Sequence, residues 1–284
     1  MNRRFAGSWV AGLFGLYGLL FASVAVAQAV VPGFDGNTLA PNDDGSAGPV
    51  PLGFTIDFFG INRDQVWVNN NGNVTLDSAL GAYTPFDLTS TGQEIIAPFF
   101  ADVDTGAAGD PVTYGSGTFN GRPAFGVNWI NVDYYDSSVT HTNRNSFQLI
   151  LVDRSDISPG DFDIVFNYDQ IEWEAGEASG GDADGLGGDS ARAGYSNGTG
   201  DPGTSFELPG SAVNGAFLDG GPNALVSNRL NSSVDGRYIF ESRSGGVQPV
   251  QAASIPTLSQ WAIFGLGFLI ILVTLRFRGP RTRA

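Results

Sequence analysis

Cysteine and lysine are absent from the 284 residues, and there is one histidine and one methionine. Without cysteine there is no disulfide framework, no Cys-ligated zinc, no iron–sulfur centre and no thiol nucleophile. A single histidine, His141, excludes a multi-histidine metal site and leaves little for a Ser-His-Asp scheme. The 14 basic residues are all arginine, and six of them sit at the two extremes: Arg3, Arg4, Arg276, Arg278, Arg281 and Arg283. All 29 acidic residues lie between Asp35 and Glu241, so the central segment sets eight arginines against 29 acids, a net charge of −21. A body this acidic repels phosphate backbones, which rules out nucleic acid as a partner.

What is abundant points the same way throughout. The 40 glycines are about twice the usual ~7% share. Aspartate outnumbers glutamate 23 to 6. Both favoured residues promote turns and weaken helices. No central segment carries an apolar stripe of helical period, and many short β-forming runs alternate with turn signals. The expectation is a mainly β chain: a single antiparallel, sandwich-like domain with long Gly/Asp-rich loops.

The two ends read as targeting signals. Residues 1–27 have a basic start, an apolar run from Trp9 to Val24 and the small-residue site Ala25-Val26-Ala27, the pattern of a secretory signal peptide cleaved between Ala27 and Gln28. Near the other end, residues 258–275 carry no charge. As a helix at ~1.5 Å per residue they would span roughly 27 Å, close to the ~30 Å hydrocarbon layer. Residues 276–284 hold the four arginines that would keep the tail in the cytoplasm. The expectation is one C-terminal transmembrane helix after a linker at 246–254.

The residues before that span carry a resemblance. Ile255, Pro256, Thr257, Leu258, Ser259 and Trp261, followed by one span and a basic tail, closely resemble the IPTL-CTERM bacterial sorting signal. Ala262 stands where that family usually has glycine. The resemblance implies an exosortase-type membrane transpeptidase as partner, and a protein passed to the cell surface after transient membrane anchoring.

Between the ends, residues 28–53 are rich in Pro, Gly, Asp and Asn and read as a loop-like leading segment, with the β-domain over 54–245. Asn-Gly turns at Asn71-Gly72 and Asn120-Gly121 mark hairpins, because both residues tolerate positive φ. Ala124–Tyr135 and Ser146–Val152 are apolar runs. In Phe162–Tyr168, alternate residues face opposite ways, as in a half-buried strand. Ala191–Tyr195 and Arg237–Phe240 read as later strands.

Seven motifs in order carry a second resemblance. They are Val66–Gly72, Ile96–Thr105, Asn145–Leu149, Phe166–Trp173, Ala193–Tyr195, Leu208–Ser211 and Gly236–Phe240. Together they resemble the NIDO domain, the extracellular module first described in nidogen, over about Phe54 to Glu241. The resemblance implies a non-enzymatic role in cell–matrix adhesion or matrix assembly. Expected partners are an extracellular matrix protein or a surface polysaccharide.

Several residues invite a chemical reading beside a plainer one. Gly194-Tyr195-Ser196-Asn197-Gly198 matches a nucleophile elbow, but no helix pattern follows and His141 lies upstream, so a strand running into a turn explains it better. Glu172 and Glu174 flank Trp173 and would share one face of a strand. With Asp102 they form the carboxylate set of the rival reading, a surface polysaccharide hydrolase. Asp102 and Asp104, and Asp182, Asp184 and Asp189 in a Gly-rich stretch, are oxygen-rich enough to take calcium, although an acidic solvated loop explains them too. No cofactor is required by any motif. His141 reads as a solvated loop residue, and Trp67, Trp129 and Trp173 as core.

Overall fold

A computed structural model describes residues 28–137 and 141–248. The signal-cleavage residues Ala25 and Ala27, the sorting motif Ile255–Trp261, the 258–275 span and the basic tail lie outside the described residues. Among the described residues no helix is long and apolar enough to cross a membrane.

The first half of the chain forms β1 (Asn37–Thr38), β2 (Ser46–Phe58), β3 (Ile61–Asn69), β4 (Asn73–Thr75), β5 (Glu94–Phe100), β6 (Val103–Gly109) and β7 (Thr113–Phe119). The second half forms β8 (Arg122–Tyr134), β9 (Asn145–Asp153), β10 (Phe162–Gln170), β11 (Arg192–Asn197), β12 (Ser205–Glu207), β13 (Arg237–Arg243) and β14 (Gly246–Val247). The larger sheet runs β1-β7-β8-β9-β10-β13-β14, with β6 also on β8, and the smaller runs β12-β11-β5-β4-β3-β2. Every ladder is antiparallel. The one helical turn among the described residues is Glu177–Ser179. The expected mainly β, antiparallel, sandwich-like architecture is what the chain adopts.

Side chains from both sheets meet in one core. Trp129 stacks on Phe147 at 5.2 Å, and Phe99 meets Phe147 at 5.2 Å and the edge of Trp173 at 5.6 Å. Such pairs add to what burial of the rings already contributes.

Asn120 and Gly121 have φ of 50° and 77° and join β7 to β8 as a two-residue turn closed by the Phe119–Arg122 pair. The β3–β4 turn differs. Asn69 pairs with Asn73, leaving three loop residues of which Gly72 alone has positive φ, 69°. A Cβ on Gly72 would also lie 1.7 Å from the Phe99 carbonyl oxygen, so backbone conformation and close packing both require glycine there.

Two expectations need correction. The 28–53 segment is not all loop: it contains β1 and the first eight residues of β2. Pro49 and Pro51 hid that strand, and they are tolerated because β2 is a sheet edge with two irregularities in its pairing to β3. The second correction concerns β10. Phe162, Ile164, Phe166 and Tyr168 do face the main core, but Asp163, Val165 and Asn167 are buried as well.

The cover on that outer face is residues 29–34. Phe34 packs with Ile150 and Val165, where Gly117 and Gly126 leave room for its ring. Under this strap a polar ladder crosses four strands. Gln148 donates to Asn128 Oδ1 at 2.7 Å, Asn167 donates to Gln148 Oε1 at 2.8 Å, and Arg237 donates to Asn167 Oδ1 at 2.7 Å. The strap's backbone completes it: Gln148 exchanges bonds with Val31, Asn128 donates to the carbonyls of Gly33 and Phe34, and Arg237 donates to the Ala29 carbonyl.

Candidate functional site

The β3–β4 turn buries four asparagines, Asn69, Asn70, Asn71 and Asn73, each at most 1% exposed. Buried amides are costly unless hydrogen-bonded. Here they are bonded: Asn69 and Asn73 donate within the turn, and Asn70 and Asn71 reach segments distant in sequence. Asn70 donates to the carbonyls of Asp43 and Val103, both at 2.5 Å, and its own carbonyl accepts from Trp129 Nε1 at 2.9 Å. Asn71 donates to Asp44 Oδ1 at 2.8 Å and accepts from the Val103 N–H at 2.9 Å. The turn thus ties the Asp43-Asp44 corner before β2 to the Asp102 corner between β5 and β6.

Carboxylate oxygens of Asp43, Asp44 and Asp102 lie within 4.8 Å of one another. Asp102 is 1% exposed, and its Oδ2 has no hydrogen-bond partner; nor does Oδ1 of Asp43. Burial, then the charges of Asp43, Asp44 and Asp104, push the Asp102 carboxyl up to about 7. Burial, then Asp44 and Asp104, push Asp43 up to about 6. Asp104 stands beside the trio with Oδ1 held by the Gly106 N–H at 2.6 Å.

The sequence-nominated residues divide. Asp102 joins Asp43 and Asp44, which sequence reasoning missed inside the segment read as loop. Asp182, Asp184 and Asp189 are exposed and are not part of this group, the one such cluster among the described residues. Asp182 instead accepts the N–H groups of Asp184 and Leu186, closing its own turn. Glu172 and Glu174 do not share a strand face, because that stretch is not a strand. Glu172 is exposed and accepts the Arg144 N–H, whereas Glu174 is fully buried and holds the N–H groups of Gly215 and Phe217 at 2.5 and 2.6 Å. Ser196 is buried in β11, and its Oγ accepts the Gly198 N–H.

His141 is not solvated. Its ring stacks on Tyr134 at 3.8 Å, with Nδ1 3.1 Å from Asp133 and Nε2 3.4 Å from Asp136. Trp129 and Trp173 are fully buried, and Trp67 is partly exposed against Gly48. Where the sandwich opens beside β12, a groove of about 400 Å³ is lined by Phe206, Leu208, Leu225, Arg229, Leu230 and Tyr238, among others.

The family model described as "Nidogen-like domain" (NIDO) matches residues 64–244. Alpha-tectorin of Mus musculus is 32% identical over 272 residues, 87% of this chain, and the human protein is 31% identical over 273. Nidogen of Drosophila melanogaster is 27% identical over 230 residues, 72% of this chain. The chain spans only 12% of the length of these alpha-tectorins and 15% of that nidogen. No solved structure matches the chain.

Proposed function

This chain belongs to the nidogen-like domain family, and on that premise we propose that it is an exported, non-enzymatic module for cell–matrix adhesion or matrix assembly. The observation that carries the reading is the family match over 64–244, which takes in strands of both sheets from late β3 to β13. The contact surface we assign is the groove beside β12, where apolar residues and Arg229 line an opening of about 400 Å³. That mixture suits a partner with an apolar or sugar-ring face. Export by the N-terminal signal, surface sorting through Ile255–Trp261 by an exosortase-type enzyme, and a transient C-terminal anchor complete the proposal. They rest on the sequence patterns alone.

Retention of the full chain on immobilised matrix protein and on surface polysaccharide tests it. Saturable retention that falls when Arg229→Glu and Phe206→Ala are introduced, with polymer length unchanged, is the expected result. Shortening of the polysaccharide would overturn the non-enzymatic reading in favour of a hydrolase.

A further inference from the structure

We propose that Asp43, Asp44 and Asp102 bind one calcium ion, clamping the corner before β2 to the β5–β6 corner across the asparagine turn. The geometry fits. Oxygens bound to one calcium at 2.3–2.6 Å lie no more than about 5 Å apart, and these three residues present theirs within 4.8 Å. The donor set is all oxygen, and hard cations take oxygen where transition metals favour histidine or thiolate. The chain's one histidine is engaged by Asp133 and Asp136.

The electrostatics point to a cation as well. Buried carboxylates are normally paired or coordinated. Asp102 Oδ2 and Asp43 Oδ1 have neither a donor nor an arginine. The eight central arginines are engaged elsewhere: Arg63 by Glu94, Arg122 by Asp156, Arg144 by Asp133, Arg154 and Arg243 by Asp163, Arg192 by Glu207, Arg229 by Asp235, and Arg237 by the polar ladder.

Two further features hold space and orientation. A Cβ on Gly176 would sit 2.5 Å from Asp102 Oδ2, so glycine keeps the flank of that oxygen clear. Asn71 fixes Asp44 by one oxygen, and Asn42 braces the corner through the Gly45 N–H and the Thr105 backbone. The corner's backbone and the Asp44 carboxylate are therefore held before an ion arrives, which lowers the ordering cost of binding.

The test is calorimetric titration of the chelator-treated full chain with calcium chloride, paired with thermal melts. One saturable site per chain is expected, with Tm rising by about 5–10 °C at a hundredfold excess over Kd. Asp102→Asn should weaken binding by more than about tenfold, while Asp182→Asn leaves the titration unchanged. Asp102→Asn removes a buried unpaired charge, so it should fold, and its chelator melt verifies that. A titration without saturation, or one untouched by Asp102→Asn, would overturn the proposal. Equal response to magnesium chloride would overturn its assignment to calcium.

Discussion

The outer face of the larger sheet and the tip of the β3–β4 turn both bury polar side chains, yet they are finished differently. On the outer face, Asn128, Gln148, Asn167 and Arg237 pass hydrogen bonds from strand to strand and then to the backbone of the 29–34 strap. Each side-chain amide oxygen and nitrogen of Asn128, Gln148 and Asn167 has a partner, although Asp169, which holds the strap's first N–H groups, keeps Oδ2 without one. At the turn, the asparagines close equally well, but the carboxylates they position do not: Asp43 and Asp102 each keep an oxygen without a partner. A saturated buried network holds strands in register, because any slip breaks several bonds together. An unsaturated one of a single charge sign holds a place for something else.

Mutations can break or sharpen that contrast. The largest effect is expected at Gln148, which is fully buried and bonded to Val31, Asn128 and Asn167. Gln148→Ala should cost about 3–5 kcal/mol in urea unfolding, since it strands several buried groups at once. Glu174→Gln comes next. Its amide nitrogen would confront the N–H of Gly215 or Phe217, and a loss of about 2–4 kcal/mol is expected by the same measurement.

The sign reverses at the unsaturated cluster. With chelator present, Asp102→Asn should stabilise the fold by about 1–2 kcal/mol, by removing a buried charge that has no counter-charge. A loss of stability there would make Asp102 as structural as Gln148 and erase the distinction. Asp182→Asn, in the exposed Gly/Asp loop, should change stability by less than about 0.5 kcal/mol, as ordinary surface substitutions do.

Much of the fold was legible, because strands and turns announce themselves locally. Asn120-Gly121 required a tight turn, and Phe162 to Tyr168 alternated along one strand. The cover over Val165 and Asn167 was not legible, since it comes from residues 29–34, more than a hundred positions away, and Asp163 is closed over by Arg154 and Arg243. The acidic site was half legible for the same reason. Asp102 stood out in a strand-flanking Asp-x-Asp, but Asp43 and Asp44 reach it only through the β2–β3 pairing and the turn that seats Gly72 against Phe99. His141 was misread because nothing local in its polar stretch signals that the Tyr134 ring lies beneath it.

The strap also sets the order in which the molecule can assemble. Its Ala29 carbonyl is held by Arg237, 208 positions later, and its Ala29 and Val30 N–H groups by Asp169. A chain emerging from its N-terminus therefore presents the strap first and receives the last of its partners nearly at the end. Until β13 is available the outer face has no closing strand and the strap no complete seat. Contacts of such long sequence separation slow folding and favour a late, concerted closure.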